Sequence, residues 1–139
     1  MAKRPIIIGR TEHIALPELG FERVAAKIDT GAYRSALHYQ RVHEAVVEGQ
    51  RRLVVVFQMG RKRRAMQFKQ YERVQVKSSN GEVSERYLVR TRVTLNGHSV
   101  RTQFTLFDRS DMKFQVLLGR KFLRHRFLVD VSRTFVLDP

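Results

Sequence analysis

An all-β domain, barrel or sandwich, is what this sequence predicts, and three observations carry it. Short runs rich in Val, Ile, Phe, Thr and Tyr recur along the whole length, and turn chemistry separates them. Two Asn-Gly pairs, Asn80-Gly81 and Asn96-Gly97, mark hairpins, because both residue types tolerate the positive φ that tight two-residue turns demand. At 139 residues the chain suits a single domain with its own core, and we expect 1–139 to form it, without repeat or linker.

Taken in order, the apolar run of "AKIDTGAYRSALH" (26–38) reads as a strand ending at Asp29. "HEAVVEGQRRLVVVFQ" reads as two strands around a turn at Glu48-Gly49-Gln50. In "ERVQVKSSNGEVSERYLVRTRVTL", Val74, Val76 and Val83 alternate with polar residues on either side of Asn80-Gly81, so a long, outward-projecting hairpin is expected. "VTLNGHSVRTQFTLF" predicts a compact hairpin whose Val93, Leu95, Val100, Phe104 and Leu106 supply one buried face. "GRKFLRHRF" predicts the one helix, about two turns long, with Phe122 and Leu123 inward and Arg120, Lys121 and Arg124 toward water. Two strand-like runs, "FLVDV" and "TFVL", flank Ser132-Arg133.

Charge restricts the partners. Lys and Arg number 27 against 13 Asp and Glu, a net charge of +14, and the isoelectric point is near 11.2. Apolar residues make up 42% and are spread throughout, so a folded body carries that charge, and nucleic acid, acidic membrane or acidic peptide would all be attracted. Cys is absent, which excludes disulfides, thiolate zinc sites and thiol nucleophiles. The apolar run Ile6–Ile8 is too short for a signal peptide, and no stretch approaches the roughly 20 residues needed to span a bilayer. A cytoplasmic protein without membrane partners is expected.

Asp29-Thr30-Gly31 raises a chemical question. An aspartate at a strand end can cap a turn, since its carboxylate accepts backbone N–H groups and the glycine frees the backbone. It can also be half of a carboxylate pair. Gly119 lies 90 residues downstream of Asp29, in the apolar run "VLLGR" that leads into the expected helix.

A hydrophobic strand ending in Asp-Thr-Gly-Ala, followed by apolar-apolar-Gly-Arg and a short helix, resembles the single-lobe aspartic proteases, the retropepsins. The ordered set "IGRTEHIALPELG", "AKIDTGAYRSALH", "VKSSNGEVSERYLVRT", "MKFQVLLGRKFL" and "FLVDVSRTFVL" is most similar to a bacterial branch labelled ATP-dependent zinc proteases, the RimB-like partners of RimK glutamate ligases. The resemblance implies a retropepsin-like barrel with one short C-terminal helix, acting as a homodimer. Asp29 of each subunit would meet at the axis, since two carboxylates about 3 Å apart share one proton and so supply both base and acid. Thr30, Gly31 and Ala32 would shape the active-site loop; Leu117, Leu118, Gly119 and Arg120 would support it. The hairpin tip Lys77, Ser78, Ser79, Asn80 and Gly81 would be the flap, although it is poorer in glycine than retroviral flaps.

Departures from the family pattern, and from what its label names, matter. Ala32 cannot donate to the carboxylate as a serine would, which predicts a less acidic pH optimum than in serine-bearing relatives. The acidic residue that pairs with the arginine after the apolar-Gly motif in retroviral enzymes is missing here, because Tyr33, Arg34 and Ser35 follow. Arg120 is therefore left with a different carboxylate, a place in the substrate groove, or no partner. The label's zinc also lacks ligands: His13, His38, His43, His98 and His125 include no His-Glu-x-x-His, and His38 and His43 read as opposite faces of one strand. No Gly-x-x-x-x-Gly-Lys-Ser/Thr loop is present for ATP. No metal or other cofactor is expected.

Family context and charge together point to an acidic or poly-glutamate-modified protein tail as substrate, with a RimK-type ligase as partner. The basic run Arg61–Arg64, with Arg51 and Arg52, fits a solvated face, a groove for such a tail, or a nucleic-acid patch. The rival reading is a basic β-barrel that binds RNA or the ribosome, or serves the ligase, without proteolysis. Nucleic acid is the less favoured partner, since Phe104, Phe107, Phe114, Phe122, Phe127 and Phe135 sit in apolar patterns that suit a core better than a stacking platform.

Overall fold

The computed structural model describes residues 4–77, 80–108 and 113–139. β1 (Ile6–Gly9) and β2 (Thr11–Leu16) lead through a 3-10 turn at Pro17–Leu19 into β3 (Phe21–Ile28). β4 (Ser35–His38), β5 (Arg41–Val47), β6 (Gln50–Met59) and β7 (Lys62–Phe68) follow. The chain then forms β8 (Glu72–Lys77), β9 (Val83–Leu95), β10 (His98–Phe107), β11 (Val116–Leu118), one helical turn α1 (Arg120–Leu123) and β12 (Phe127–Asp130).

Six strands close into a barrel in the order β10-β4-β11-β3-β2-β9, with β9 returning to β10. Closure removes most of the exposed edge that an open sheet would present, but β10 meets β4 only from Phe104 onward. β9 is long enough for three partners: Val83–Leu88 pair with β8, Leu88–Leu95 with β10, and Thr94 with Ala15 of β2. β8 therefore hangs outside the closed ring. A separate sheet, β5-β6-β7, turns the alternate residues Leu53, Val55, Phe57 and Met59 of β6 into the core, where they join Phe21, Leu37, Val89, Phe104 and Phe122. β1 and β12 form a parallel pair in which Ile6, Ile8, Phe127 and Val129 face inward while Ile7 and Leu128 face solvent.

Several expectations hold. Asn96 and Gly97 take φ of 50° and 77°, the paired positive values of a two-residue turn, and Val93, Leu95, Phe104 and Leu106 are buried behind it, with Val100 half-buried. Glu48 and Gly49 turn β5 into β6 in the same way, with φ of 52° and 78°.

Others need correction. Asn80-Gly81 lies within a longer connection, 78–82, and Val83 pairs with Lys77, so it faces away from Val74 and Val76. The helix stops after Leu123, because Arg124 turns extended and His125 takes φ 69°, which ends the helical ladder. His38 and His43 lie on different strands, β4 and β5, across the corner Tyr39-Gln40. "TFVL" is not a strand. Phe135 takes φ 49°, and the N–H groups there are claimed by distant partners: Phe135 donates to the Thr11 carbonyl (2.9 Å), Val136 to Glu12 Oε2 (3.0 Å) and Leu137 to Glu12 Oε1 (3.1 Å). Glu12 is fully buried and also accepts from Gly9 N–H at 2.7 Å, so three backbone donors satisfy a charge-bearing group that water cannot reach.

Candidate active site

β11 lies between β3 and β4, parallel to the first and antiparallel to the second. This arrangement sets the Asp-Thr-Gly loop beside the apolar-Gly turn. Asp29 N–H continues the ladder to the Leu118 carbonyl at 2.9 Å, and the chain then leaves β3. Within the loop, Gly31 N–H donates to Asp29 Oδ1 (3.1 Å) and Ala32 N–H to the Asp29 carbonyl (3.2 Å), the local closure that favours aspartate at a turn. Asp29 is half-buried, whereas Thr30 and Gly31 are exposed, so the loop presents its tip to the surroundings.

Support comes from beneath. The first N–H groups of α1 have no partner inside the helix, and here Arg120 N–H donates to the Ala32 carbonyl (2.8 Å) and Lys121 N–H to the Tyr33 carbonyl (3.0 Å). Gly119 N–H donates to the buried Ser35 Oγ at 3.1 Å. Glycine is required at 119 by close approach and not by φ, which is −94°. A Cβ there would lie 2.7 Å from the Arg34 carbonyl oxygen and 2.8 Å from that of Tyr33. Leu117 and Leu118 are buried in β11 beside it.

Arg120 has a partner that sequence reasoning missed. Its Nη1 donates to the Thr30 carbonyl at 3.1 Å, and among the described residues it makes no ion pair. A backbone oxygen thus replaces the absent acidic side chain. The guanidinium carbons of Arg120 and Arg124 each lie 5.9 Å from the ring centre of Tyr33, within cation–π range. Ser35 and Tyr33 carry no local signal of these roles, because their partners come from a segment more than 80 residues away.

The expected flap is the β8–β9 hairpin, of which Ser78 and Ser79 lie outside the described residues. Lys77 closes its ladder against Val83, Asn80 Oδ1 accepts Glu82 N–H (3.1 Å), and Gly81 takes φ 89°. Its base is pinned to β5: Tyr71 Oη donates to Glu44 Oε1 (2.6 Å), Tyr87 Oη to Oε2 (3.3 Å), and Arg73 forms a close ion pair with the same carboxylate. The Tyr71 hydroxyl, and after it the Arg73 guanidinium, hold the Glu44 carboxyl below its ordinary value of 4.5.

The basic run lies on the β6–β7 hairpin and is partly engaged. Lys62 Nζ donates to the Gly20 carbonyl (2.6 Å), and the Arg64 guanidinium lies against Gly20. Of the six phenylalanines assigned to the core, Phe104, Phe122 and Phe127 are buried and Phe107, Phe114 and Phe135 half-buried. Among the described residues, no group of three or more His, Asp or Glu is placed to hold a metal ion. No helix of the described residues is long and apolar enough to cross a membrane.

A closed six-strand barrel with one helical turn, and an Asp-Thr-Gly loop seated on an apolar-Gly turn, defines a single-lobe retropepsin-like domain. The chain belongs to the RimB-like family, described as the retropepsin-like aspartic endopeptidase RimB, whose model matches residues 7–139. It is 32% identical over 141 residues to a protein named "Probable alpha-L-glutamate ligase" from Shewanella halifaxensis (strain HAW-EB4), covering 99% of this chain and 31% of that protein. A protein of the same name from Shewanella pealeana (strain ATCC 700345 / ANG-SQ1) is 31% identical over 141 residues, with the same coverage. The chain thus spans under a third of the length of these curated relatives. Among solved structures, a Legionella pneumophila protein of unknown function (DUF785) shares the fold with a TM-score of 0.79 at 23% identity, over 97% of this chain and 100% of that one.

Proposed function

We propose that this protein is an aspartic peptidase that works as a two-fold homodimer, the two Asp29 carboxylates sharing one proton across the axis. The observation that carries this reading is the Asp29 loop itself. Its backbone is clamped from below by Leu118, Arg120 and Lys121, while Thr30 and Gly31 at its tip are exposed and Asp29 is only half-buried. One chain supplies one such aspartate, so the second must come from another copy. In the dimer, one carboxylate takes a proton from water as that water attacks the peptide carbonyl, and the other donates its proton to the carbonyl oxygen.

The exposed apolar residues Ile7, Leu128 and Val131 support association between copies. They are linked to the site through Arg10, whose Nη1 donates to the Val131 carbonyl (3.2 Å) and whose own carbonyl accepts Ile28 N–H (2.9 Å). Thr30 would bond the two loops together, and the β8–β9 tip would cover the substrate. The net charge of +14 favours an acidic substrate. Relatives named as glutamate ligases contain a matching segment, so the substrate we infer is a glutamate-modified protein tail, with a ligase as functional partner.

Sedimentation across concentration, run beside cleavage of a poly-glutamate-tailed protein by the unsubstituted chain and by Asp29→Asn, tests this. A dimer whose cleavage disappears with the substitution is the expected result. A monomer at every concentration with no cleavage would replace the peptidase by a basic binding module.

A further inference from the structure

On the side of the barrel where α1 faces β10, a cleft of about 660 Å³ is lined by Arg90, Arg101, Lys121, Arg124, His125 and Arg126 together with Val100, Thr102 and Gln103. Among the described residues, no acidic one lines it. Smaller hollows continue it at either end, one sharing Arg90 and Arg101 and adding Lys69, the other sharing His125 and Arg126 and adding Arg4 and His98. Glu72 and Glu18 occupy Arg90 (2.9 Å) and Arg101 (3.2 Å). Lys121, Arg124 and Arg126 make no ion pair among the described residues.

The same cleft exposes backbone. β10 pairs with β9 from His98 to Thr105, but its other edge meets β4 only from Phe104 onward. The tight turn at Asn96-Gly97 makes Leu95 and His98 the hydrogen-bonded pair nearest the turn, so by alternation Val100 and Thr102 also point their N–H and C=O at β9. Those of Ser99, Arg101 and Gln103 therefore point outward; the parallel bridge of Phe104 to Ser35 takes the Gln103 carbonyl, which leaves both groups of Ser99 and of Arg101 and the Gln103 N–H without a strand partner, and Arg101 and Gln103 line the cleft. An unpaired strand edge accepts an extended peptide as one more strand.

We propose that an extended acidic peptide docks in this cleft as a strand added to β10, its carboxylates taken by Lys121, Arg124 and Arg126. The occupant is the acidic tail of the substrate, which deepens and rests on the peptidase reading: the cleft adjoins the Asp29 loop through Tyr33, whose ring faces Arg124, and through Lys121, whose N–H holds the Tyr33 carbonyl. Free backbone donors and acceptors favour a peptide over a phosphodiester chain, which has no strand ladder to offer.

The test measures fluorescence anisotropy of a labelled oligo-glutamate peptide on the full chain carrying Asp29→Asn, so that binding is read without turnover. Arg124→Ala with Arg126→Ala, both exposed positions, should weaken binding by about tenfold, a few-fold for each lost surface charge, and the remainder should fall as salt rises. The same peptide N-methylated at alternate amides keeps its charge but loses ladder donors; it should bind far more weakly, and this arm needs no change in the protein. Equal binding by the double variant, or by the methylated peptide, overturns the proposal. So does a single-stranded RNA oligonucleotide that displaces the peptide, or a double variant that changes only the dimer equilibrium. Cleavage by the unsubstituted chain is scored separately. Its absence beside intact peptide binding overturns the peptidase reading, and with it the tail's status as substrate, without touching the cleft's affinity.

Discussion

Replacing Gly119 by alanine tests whether the turn beneath the Asp29 loop is built by close approach. The new Cβ would meet the Arg34 carbonyl oxygen at 2.7 Å and the Arg34 carbonyl carbon and Tyr33 carbonyl oxygen at 2.8 Å, where ordinary contact begins near 3.4 Å. All three obstacles are backbone, so the Tyr33–Arg34 segment has to retreat by about 0.6–0.7 Å or the turn has to open. Overpacking of this kind costs about 1–3 kcal/mol. In a domain of this size that is about 4 °C of melting temperature per kcal/mol, hence a fall of about 4–12 °C. The displacement also exceeds the tolerance of about 0.5 Å for a working catalytic constellation, so any Asp29-dependent cleavage should drop by more than the thermal loss explains. Calorimetry and cleavage assays on Gly119→Ala read both quantities. Unchanged melting and unchanged cleavage would refute the packing argument and the support role assigned to this turn.

Gly31→Ala provides the opposite case: its nearest neighbour would be Asp29 Oδ1 at 3.4 Å, ordinary contact, so the isolated chain should melt within about 1 kcal/mol of the parent, while sedimentation should show a weakened dimer if the loops meet across an axis. Asp29→Asn should abolish cleavage and leave the melting temperature nearly unchanged, because the half-buried carboxylate makes one backbone hydrogen bond that an amide oxygen can also accept. Glu12→Gln should cost about 2–4 kcal/mol by urea unfolding, since an amide cannot accept all three backbone donors with its one oxygen. Glu44 carries a pH signature. Its folded-state value is held below 4.5, so its contribution is complete above the unfolded value and disappears as pH falls through the folded one. The stability gap between the parent and Glu44→Gln should therefore be widest at neutral pH and close below pH 4.5, which acid titration of the melting temperature checks.

What could be read from the sequence was whatever local chemistry decides. Asn96-Gly97 specifies its own turn, and alternation in β9 and β10 specifies the buried face. The Asp29 loop and the apolar-Gly run were legible as motifs. That the second supports the first was an expectation from the family resemblance; the contacts that do so were not legible, because Ser35 and Arg120 act on atoms across 84 and 90 residues of chain. The segment 134–137 misled for the same reason: its apolar run Phe135–Leu137 suits a strand, but Glu12 competes for its N–H groups from 124 residues away. The helix was overestimated because His125 adopts a left-handed conformation without the glycine that usually announces one.

The carboxylate of Glu12 also imposes an order on assembly. It is the knot between the β1–β2 corner and residues 136–137, which a ribosome makes more than 120 residues later. Until those two amides arrive, the β1–β2 corner would have to bury an acid with two of its three partners missing, so the barrel is expected to remain ajar during synthesis and to lock only when residues 136–137 fold back onto Glu12. A nascent chain halted before residue 136 should therefore be readily proteolysed, however complete its strands.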